Sequence, residues 1–173
     1  MAAITMSMDK FGGRYAAAVQ TNGRRVEMIT ESNIKSMLLP MFQHWISKVG
    51  EGKTIPGHIY YFCDSMSKSQ YSHVLEQEVK HMKNAIVDEF SEKYPGVANI
   101  QWTVTVCTKR HHIRFFPKEN DSSAGDKNSN ALPGTLVEHD VTHPFEYDFY
   151  LCAHSAIQGT ARPVHYHVLT DEA

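Results

Sequence analysis

The chain has 173 residues, of which 42% are hydrophobic and 21% are charged, and its formal net charge is −2. This composition is typical of one globular domain with a sizeable core, and no apolar run is long enough to span a membrane or resembles a signal peptide. The three cysteines have no paired spacing, which argues against a disulfide framework and favours buried thiols in a reducing compartment.

A β-hairpin is predicted at the start of the chain. Residues 2–9 and 14–20 are short apolar runs, and the paired glycines Gly12 and Gly13 between them supply the positive φ angles that a tight turn needs. The next segment, residues 24–30, is mixed in character and predicts either a third strand or a loop. The sequence therefore favours two antiparallel strands followed by a less regular connection.

Two helices are predicted, one before and one after a buried strand in the sequence. The first begins with Ser32 as its N-cap, and Pro40 interrupts its apolar face, which predicts either a kink or a position near the helix start. The strand, residues 58–64, is rich in aromatic and β-branched types and ends on an aspartate. The second helix follows at once, with Ser67 and Gln70 at the spacing of a capping box. This order places a carboxylate where a strand passes into a helix, which is where open α/β sheets bind ligands.

Strands dominate the prediction for the second half of the chain. Residues 100–106 alternate apolar and polar side chains, as expected for a strand with unlike faces. Residues 118–130 are rich in Ser, Asn, Asp and Lys and predict an exposed, mobile loop. Two further strands are predicted at residues 147–152 and 163–169. The order of elements predicts an α/β fold, a mixed sheet with helices packed on it.

A basic run, residues 109–114, directly follows the strand at residues 100–106. Five of its six side chains are positive or protonatable, and guanidinium groups bind phosphate oxygens bidentately. Such contacts dominate nucleic-acid affinity, although a solvated basic loop explains the run equally well. Residues 158–163 offer a glycine, a threonine and an arginine, which can bind phosphate or can simply form a turn.

Two carboxylates, Glu27 and Asp64, are candidates for a magnesium site. Mg²⁺ prefers hard oxygen ligands and keeps several waters, so a few acidic residues suffice to hold it for phosphodiester hydrolysis. From the residues alone, the commoner role for Asp64 is to cap a turn or a helix. A set of histidines and cysteines lacks zinc-type spacing, and ordinary polar contacts are favoured for it. The set consists of Cys107, His111, His112, Cys152, His154, His165 and His167.

Four ordered segments of the second half carry a family resemblance. They are KRHHIRF at residues 109–115, HPFEYDFYLC at 143–152, HSAIQGTARP at 154–163 and HYHVL at 165–169. Together they resemble the PIWI domain of eukaryotic Argonaute proteins, and the resemblance runs from Ser7 to Glu172. It implies an RNase H-like mixed sheet with flanking helices, guide-RNA binding and, in competent members, Mg²⁺-dependent cleavage of the target RNA.

The resemblance also implies roles for individual residues. The family's catalytic set is Asp, Glu, Asp and His; Asp64 matches the second Asp, a metal ligand, and Glu27 matches the glutamate. The other two members fall outside residues 1–173, so we expect a partial PIWI domain without the first catalytic strand and the C-terminal helices. The residues expected to contact the sugar-phosphate backbone of the guide are Lys109, Arg114, His154 and Arg162.

The function implied is that of an Argonaute module in RNA-mediated gene silencing. Its expected partners are a small guide RNA, a target RNA and silencing-complex proteins, in the cytoplasm and also in the nucleus, without a membrane. The parent is expected to be an endoribonuclease. The 173-residue chain alone is expected to be inactive and prone to aggregate, because inner sheet edges lack partners. The alternative is a PIWI domain that binds guide RNA without cutting; a transposase-like nuclease is disfavoured by the basic run.

Overall fold

Helices and strands alternate through the first two thirds of the chain, and strands dominate the rest. The computed structural model describes residues 1–24, 26, 28–64, 67–118 and 125–173. The strands are β1 (Ala2–Ser7), β2 (Tyr15–Gln20), β3 (His58–Asp64), β4 (Gln101–Thr108), β5 (Leu136–Val137), β6 (Asp148–Leu151) and β7 (Val164–Asp171). The helices are α1 (Glu31–Lys48), α2 (Tyr71–His73) and α3 (Lys80–Phe90), with a π-helical turn at Val74–Val79 and 3₁₀ turns at Lys68–Gln70 and Pro95–Asn99.

The chain divides into two compact units. The first comprises Met1–Ile59 and Ser69–Gln101, and the second comprises Tyr60–Lys68 and Trp102–Ala173. None of the helices in the described part of the chain is long and apolar enough to cross a lipid bilayer.

The hairpin of the first unit confirms the prediction from the apolar runs. β1 and β2 pair antiparallel along their whole length. Asp9 closes the turn, because its Oδ1 accepts hydrogen bonds from the N–H groups of Phe11 at 2.8 Å and Gly13 at 3.0 Å. Gly12 takes the left-handed conformation, with φ of 65°, which a side chain would strain.

The start of α1 corrects the predicted cap. Thr30, not Ser32, is the N-cap: its backbone is extended and its side chain accepts a hydrogen bond from the N–H of Asn33 at 3.4 Å. Ser32 lies within the first turn, so the prediction of Ser32 as N-cap is wrong. Pro40 lies inside α1, which continues to Lys48.

The second helical segment differs from the regular helix that the sequence predicts. Gln70 is the N-cap of α2, and its side chain makes no capping hydrogen bond. The chain then widens into the π-helical turn before α3 begins, a feature that apolar spacing does not reveal. Five large apolar side chains of this segment are buried: Val74, Val79, Met82, Ile86 and Phe90. The core of this unit includes the ring contact between Phe42 of α1 and Phe90 of α3, with centroids 5.2 Å apart.

The second unit is built on a five-stranded sheet with the order β3-β4-β7-β6-β5. β7 lies antiparallel to both β4 and β6, and β5 is antiparallel to β6. A register shift between Val104 and Thr105 marks a bulge in β4. The strands predicted at residues 147–152 and 163–169 are confirmed as β6 and β7, whereas β5 is too short to show a pattern.

The predicted loop at residues 118–130 is only partly within the described chain, since residues 119–124 lie outside it. Gly125 forms an isolated bridge with Ala131, and residues 126–130 make a tight turn. Asn130 is fully buried, so the prediction of an exposed loop is wrong at this residue.

We expect Phe62→Lys to reduce self-association of the purified chain. β3 is the outermost strand of the described sheet and the side chain of Phe62 is 60% exposed, and an exposed apolar edge strand promotes pairing between molecules. Sedimentation velocity over a concentration series measures the effect. Phe116→Lys is the matched control, because Phe116 is comparably exposed but lies in no strand. Equal effects of the two substitutions would contradict the role assigned to β3.

Candidate nucleic-acid interface

Asp64 lies beside the first residue of the basic run. Asp64 ends β3, and Lys109 directly follows the neighbouring strand β4, so both leave the sheet at the same end. The Nζ of Lys109 is 3.4 Å from the Oδ2 of Asp64, and both side chains are mostly exposed. Exposed ion pairs of this kind stabilise a fold by only about 0–1 kcal/mol. The contact between Lys109 and Asp64 therefore contributes little to the stability of the fold.

The thiol of Cys107 lies close to this ion pair. Burial, reinforced by the negative charge of Asp64, raises the pKa of Cys107 to about 11. Burial also raises the pKa of the Cys152 thiol. Both thiols therefore stay protonated at neutral pH, whereas metal ligation and nucleophilic attack require thiolates.

Glu27 lies outside the described residues, but its neighbours in sequence are held by two buried polar side chains of the first unit. The Nδ2 of Asn22 donates to the carbonyl of Met28 at 2.6 Å, and the Oε1 of Glu78 accepts from the N–H of Ile29 at 2.8 Å. Glu78 projects from the π-helical turn, and both Asn22 and Glu78 are buried. No sequence motif marks these two residues.

Within the basic run, the predicted guide contacts have different surroundings. Lys109 and Arg110 are exposed, whereas Arg114 is half-buried. The Nη1 of Arg114 donates to the carbonyls of His111 at 3.0 Å and Ile113 at 2.6 Å. Arg114 therefore stabilises the loop backbone with one of its nitrogens, and Lys109 is the more exposed cation.

His111 joins the basic run to the segment at residues 158–163. Its Nε2 lies 2.8 Å from the carbonyl oxygen of Pro163. A carbonyl can only accept, so Nε2 must carry the proton and the neutral ring has an unprotonated Nδ1. That Nδ1 is buried without a hydrogen-bond partner among the described residues. Burial lowers the pKa of His111, and the hydrogen bond to Pro163 offsets this only in part, so the ring is neutral at neutral pH.

Tyr150 packs beneath this connection. Its ring stacks on His165 with centroids 4.4 Å apart and meets the rings of His111 and Phe115 edge-on, at 5.4 and 5.6 Å. The Nε2 of His165 is 2.5 Å from the Oδ2 of Asp148. Burial acts to raise the pKa of Asp148, but its hydrogen bonds, above all that with His165, outweigh burial and leave the pKa below its usual value. His165 thus makes ordinary polar and stacking contacts.

The side chains of residues 154–163 differ in their exposure to solvent. His154 and Arg162 are exposed, whereas Ala161 and Pro163, the neighbours of Arg162, are buried. Gly159 adopts φ of 75°, which allows the chain to turn before Arg162. Arg162 is thus an exposed cation between two buried residues.

The structure brings together only part of the predicted site. Lys109 and Asp64 are in contact, and His111 ties the loop of Lys109 to the loop of Arg162. Among the residues that the structure describes, no group of three His, Cys, Asp or Glu side chains is placed to hold a metal ion.

Comparison with known proteins identifies relatives of the whole chain. A family model described as "Piwi domain" matches residues 1–173. The chain is 39% identical over 173 residues to Protein argonaute 3 of Oryza sativa subsp. japonica and 39% identical over 174 residues to Protein argonaute of Schizosaccharomyces pombe. Each match covers 99% of this chain but only 14% and 19%, respectively, of those relatives. The chain thus spans less than a fifth of the length of either relative.

Solved structures show the same fold. The crystal structure of Kluyveromyces polysporus Argonaute with a guide RNA matches with a TM-score of 0.83 and 27% identity over 98% of this chain and 20% of that chain. The C-terminal lobe of a budding yeast Argonaute gives 0.73 and 28% over 91% and 32%, and Drosophila Piwi gives 0.60 and 26% over 79% and 17%. These similarities confirm the predicted RNase H-like α/β fold class.

The lowered pKa of His111 predicts a loss of local stability in mild acid. The unfolded chain takes up the proton near the ordinary pKa of 6.5, before the folded chain does. The stabilisation is therefore complete above about pH 6.5 and is lost as the pH falls through the folded pKa. Hydrogen exchange of peptides covering residues 109–115, corrected for intrinsic rates, measures it. His111→Gln keeps a donor for Pro163 but does not titrate, and we expect a weaker pH dependence in this variant. The same pH dependence in both proteins would contradict the assignment.

Proposed function

Because the chain belongs to the Piwi domain family, we propose that it is a guide-RNA-binding part of an Argonaute that acts in RNA-mediated gene silencing. The observation that carries this proposal is the hydrogen bond from His111 to Pro163, which joins the two segments that bear the exposed cations Lys109 and Arg162. The similar Kluyveromyces polysporus Argonaute structure contains a guide RNA, which supports the same role for this chain.

The proposed binding is directed at the sugar-phosphate backbone of the guide. Lysine and arginine neutralise phosphates regardless of base sequence, so one surface can accept guides of any sequence. The exposed side chains proposed to act are Lys109, His154 and Arg162, with Arg114 contributing from a half-buried position. A guanidinium can bind two phosphate oxygens at once, which makes Arg162 the strongest single contact in this set.

We further propose that the parent protein is a Mg²⁺-dependent endoribonuclease that cleaves guide-paired target RNA. The RNase H-like family generally uses a divalent metal. The exposed carboxylate of Asp64, at the end of β3, is the hard oxygen donor that Mg²⁺ prefers, and Glu27 is the proposed second acidic residue. When bound, the ion would activate a water and neutralise charge on the phosphate. Lys109, already beside Asp64, would bind a neighbouring phosphate oxygen.

A second candidate function is guide binding without cleavage, as a scaffold for other silencing proteins. It uses the same cationic side chains and does not need Asp64. The exposed cations that this function needs, Lys109 and Arg162, lie within the described part of the chain. In either case, we propose that the 173-residue chain alone does not cleave RNA, and that the parent acts in the cytoplasm and also in the nucleus.

Substitutions at Asp64 and Arg162 separate these roles in an Argonaute that carries this domain. We expect Asp64→Ala to abolish target cleavage and to leave guide affinity within about twofold, because it removes a metal ligand and no cationic contact. Arg162→Ala should weaken guide binding and lower the slope of log affinity against log salt concentration by about 0.7, the value for one phosphate contact on a single strand.

Filter binding of a short single-stranded RNA over a salt series measures affinity, and single-turnover cleavage of a paired target measures activity. Arg14→Ala is the matched control, since Arg14 is an exposed arginine in the hairpin turn. Equal losses of guide binding in Asp64→Ala and Arg162→Ala would show that the roles are misassigned. Undiminished cleavage in Asp64→Ala would rule out its proposed metal role.

A further inference from the structure

We infer that Asn130 is a positioning residue for RNA binding, because its buried side-chain amide fixes the loop that presents Arg162 to phosphate. This inference rests on the proposed function and extends it to a residue that does not itself meet RNA. Asn130 stands at the end of a segment rich in Ser, Asn, Asp and Lys whose composition predicts only an exposed loop. In the structure its side chain is 2% exposed.

Both ends of the Asn130 amide bind the same short loop. Its Oδ1 accepts a hydrogen bond from the N–H of Ala161 at 2.8 Å, and its Nδ2 donates to the carbonyl of Gly159 at 3.1 Å. Gly159 and Ala161 lie in no strand, so their backbone groups lack partners from a sheet. The amide of Asn130 satisfies one acceptor and one donor of this backbone. Because Gly159 is the residue with a positive φ, the bond to its carbonyl restrains the most flexible point of the loop.

Asn130 is itself held in place by the turn in which it lies. The Oδ1 of Asp126 accepts from the N–H groups of Asn128 at 2.8 Å and Asn130 at 2.9 Å, and the N–H of Asp126 donates to the carbonyl of Asn130 at 2.9 Å. Hydrogen bonds from these backbone groups, that from Asn130 first, lower the pKa of Asp126, so the carboxylate remains charged at neutral pH. The backbone of Asn130 is therefore restrained by its own turn while the side-chain amide binds the loop at residues 159–161.

The side chain of Asn130 binds the backbone before Arg162, and the side chain of His111 binds the backbone after it. Ala161, just before Arg162, donates its N–H to Asn130, and Pro163, just after it, accepts from His111 at 2.8 Å. The backbone of Arg162 is thus fixed at both neighbouring residues while its side chain is exposed. A cation on a fixed backbone loses less conformational entropy on binding than one on a mobile loop, so the hydrogen bonds of Asn130 favour phosphate binding.

The test is a double-mutant cycle in an Argonaute that carries this domain, with a short single-stranded RNA as the probe. We expect Asn130→Ala to weaken RNA binding by about three- to tenfold and to lower the salt slope, as loss of a positioned phosphate contact requires. In an Arg162→Ala background the same substitution should change affinity by less than about twofold, since Asn130 acts through Arg162. Asn128→Ala is the control, because Asn128 is an exposed asparagine of the same turn.

A second variant covers the case in which Asn130→Ala fails to fold. In Gly159→Ala the new Cβ meets open space, but φ of 75° is strained for alanine, so the backbone of the loop is perturbed while the Asn130 side chain is retained. It should also lower RNA affinity and the salt slope. Two results would overturn the inference about Asn130 but not the proposed binding surface. One is wild-type affinity in both Gly159→Ala and folded Asn130→Ala. The other is an equal effect of Asn130→Ala in the wild-type and Arg162→Ala backgrounds. Wild-type RNA binding by Arg162→Ala would overturn both the inference and the proposed binding surface.

Discussion

The hydrogen bond between the His111 ring and the Pro163 carbonyl joins two loops that lie 52 residues apart in sequence. Each loop carries an exposed cation, Lys109 or Arg162, and like charges on neighbouring loops repel one another. A neutral donor can hold such loops together without adding a further positive charge, and burial keeps His111 neutral. The proposed RNA-binding surface therefore depends on an uncharged, partly buried hydrogen bond between loops that carry exposed charges.

A neutral side chain also supports an exposed cation elsewhere in the second unit. Asn130 is buried, neutral and hydrogen-bonded to backbone, whereas Arg162, which it supports, is exposed. Where a charged pair does occur at the surface, between Lys109 and Asp64, the 3.4 Å contact is weak and exchangeable. Buried neutral supports and weakly paired exposed charges suit the proposed binding of phosphate at this surface.

Much of the fold could be predicted from local pattern. The hairpin follows from two apolar runs around Gly12, and β3 follows from its aromatic and β-branched residues. The prediction that this strand is buried is wrong, because β3 lies at the edge of the described sheet with Tyr60 and Phe62 exposed. The N-cap error arose because Ser32 and Thr30 carry the same type of hydroxyl, and only the backbone conformation decides between them. The π-helical turn escaped prediction because apolar spacing assumes 3.6 residues per turn throughout.

The site was less predictable, for a different reason. Composition identified the basic run, and family resemblance identified Arg162, but neither could show which residues support them. The polar composition around Asn130 predicts an exposed loop, whereas its hydrogen-bond partners lie about 30 residues further along the chain. In sequence His111 belongs to a run of positive or protonatable residues, whereas in the structure its ring is a neutral donor. Tertiary partners of single polar residues leave no periodic signal.

Site-specific photo-crosslinking of a guide-loaded Argonaute carrying this domain tests the central claim most directly. A photoreactive residue at Thr160, an exposed position of the loop that Asn130 binds, is compared with one at Phe11, which is 97% exposed in the hairpin turn. The account predicts a covalent link from position 160 to the guide RNA and little or none from position 11. A link from position 11 with none from position 160 would contradict it.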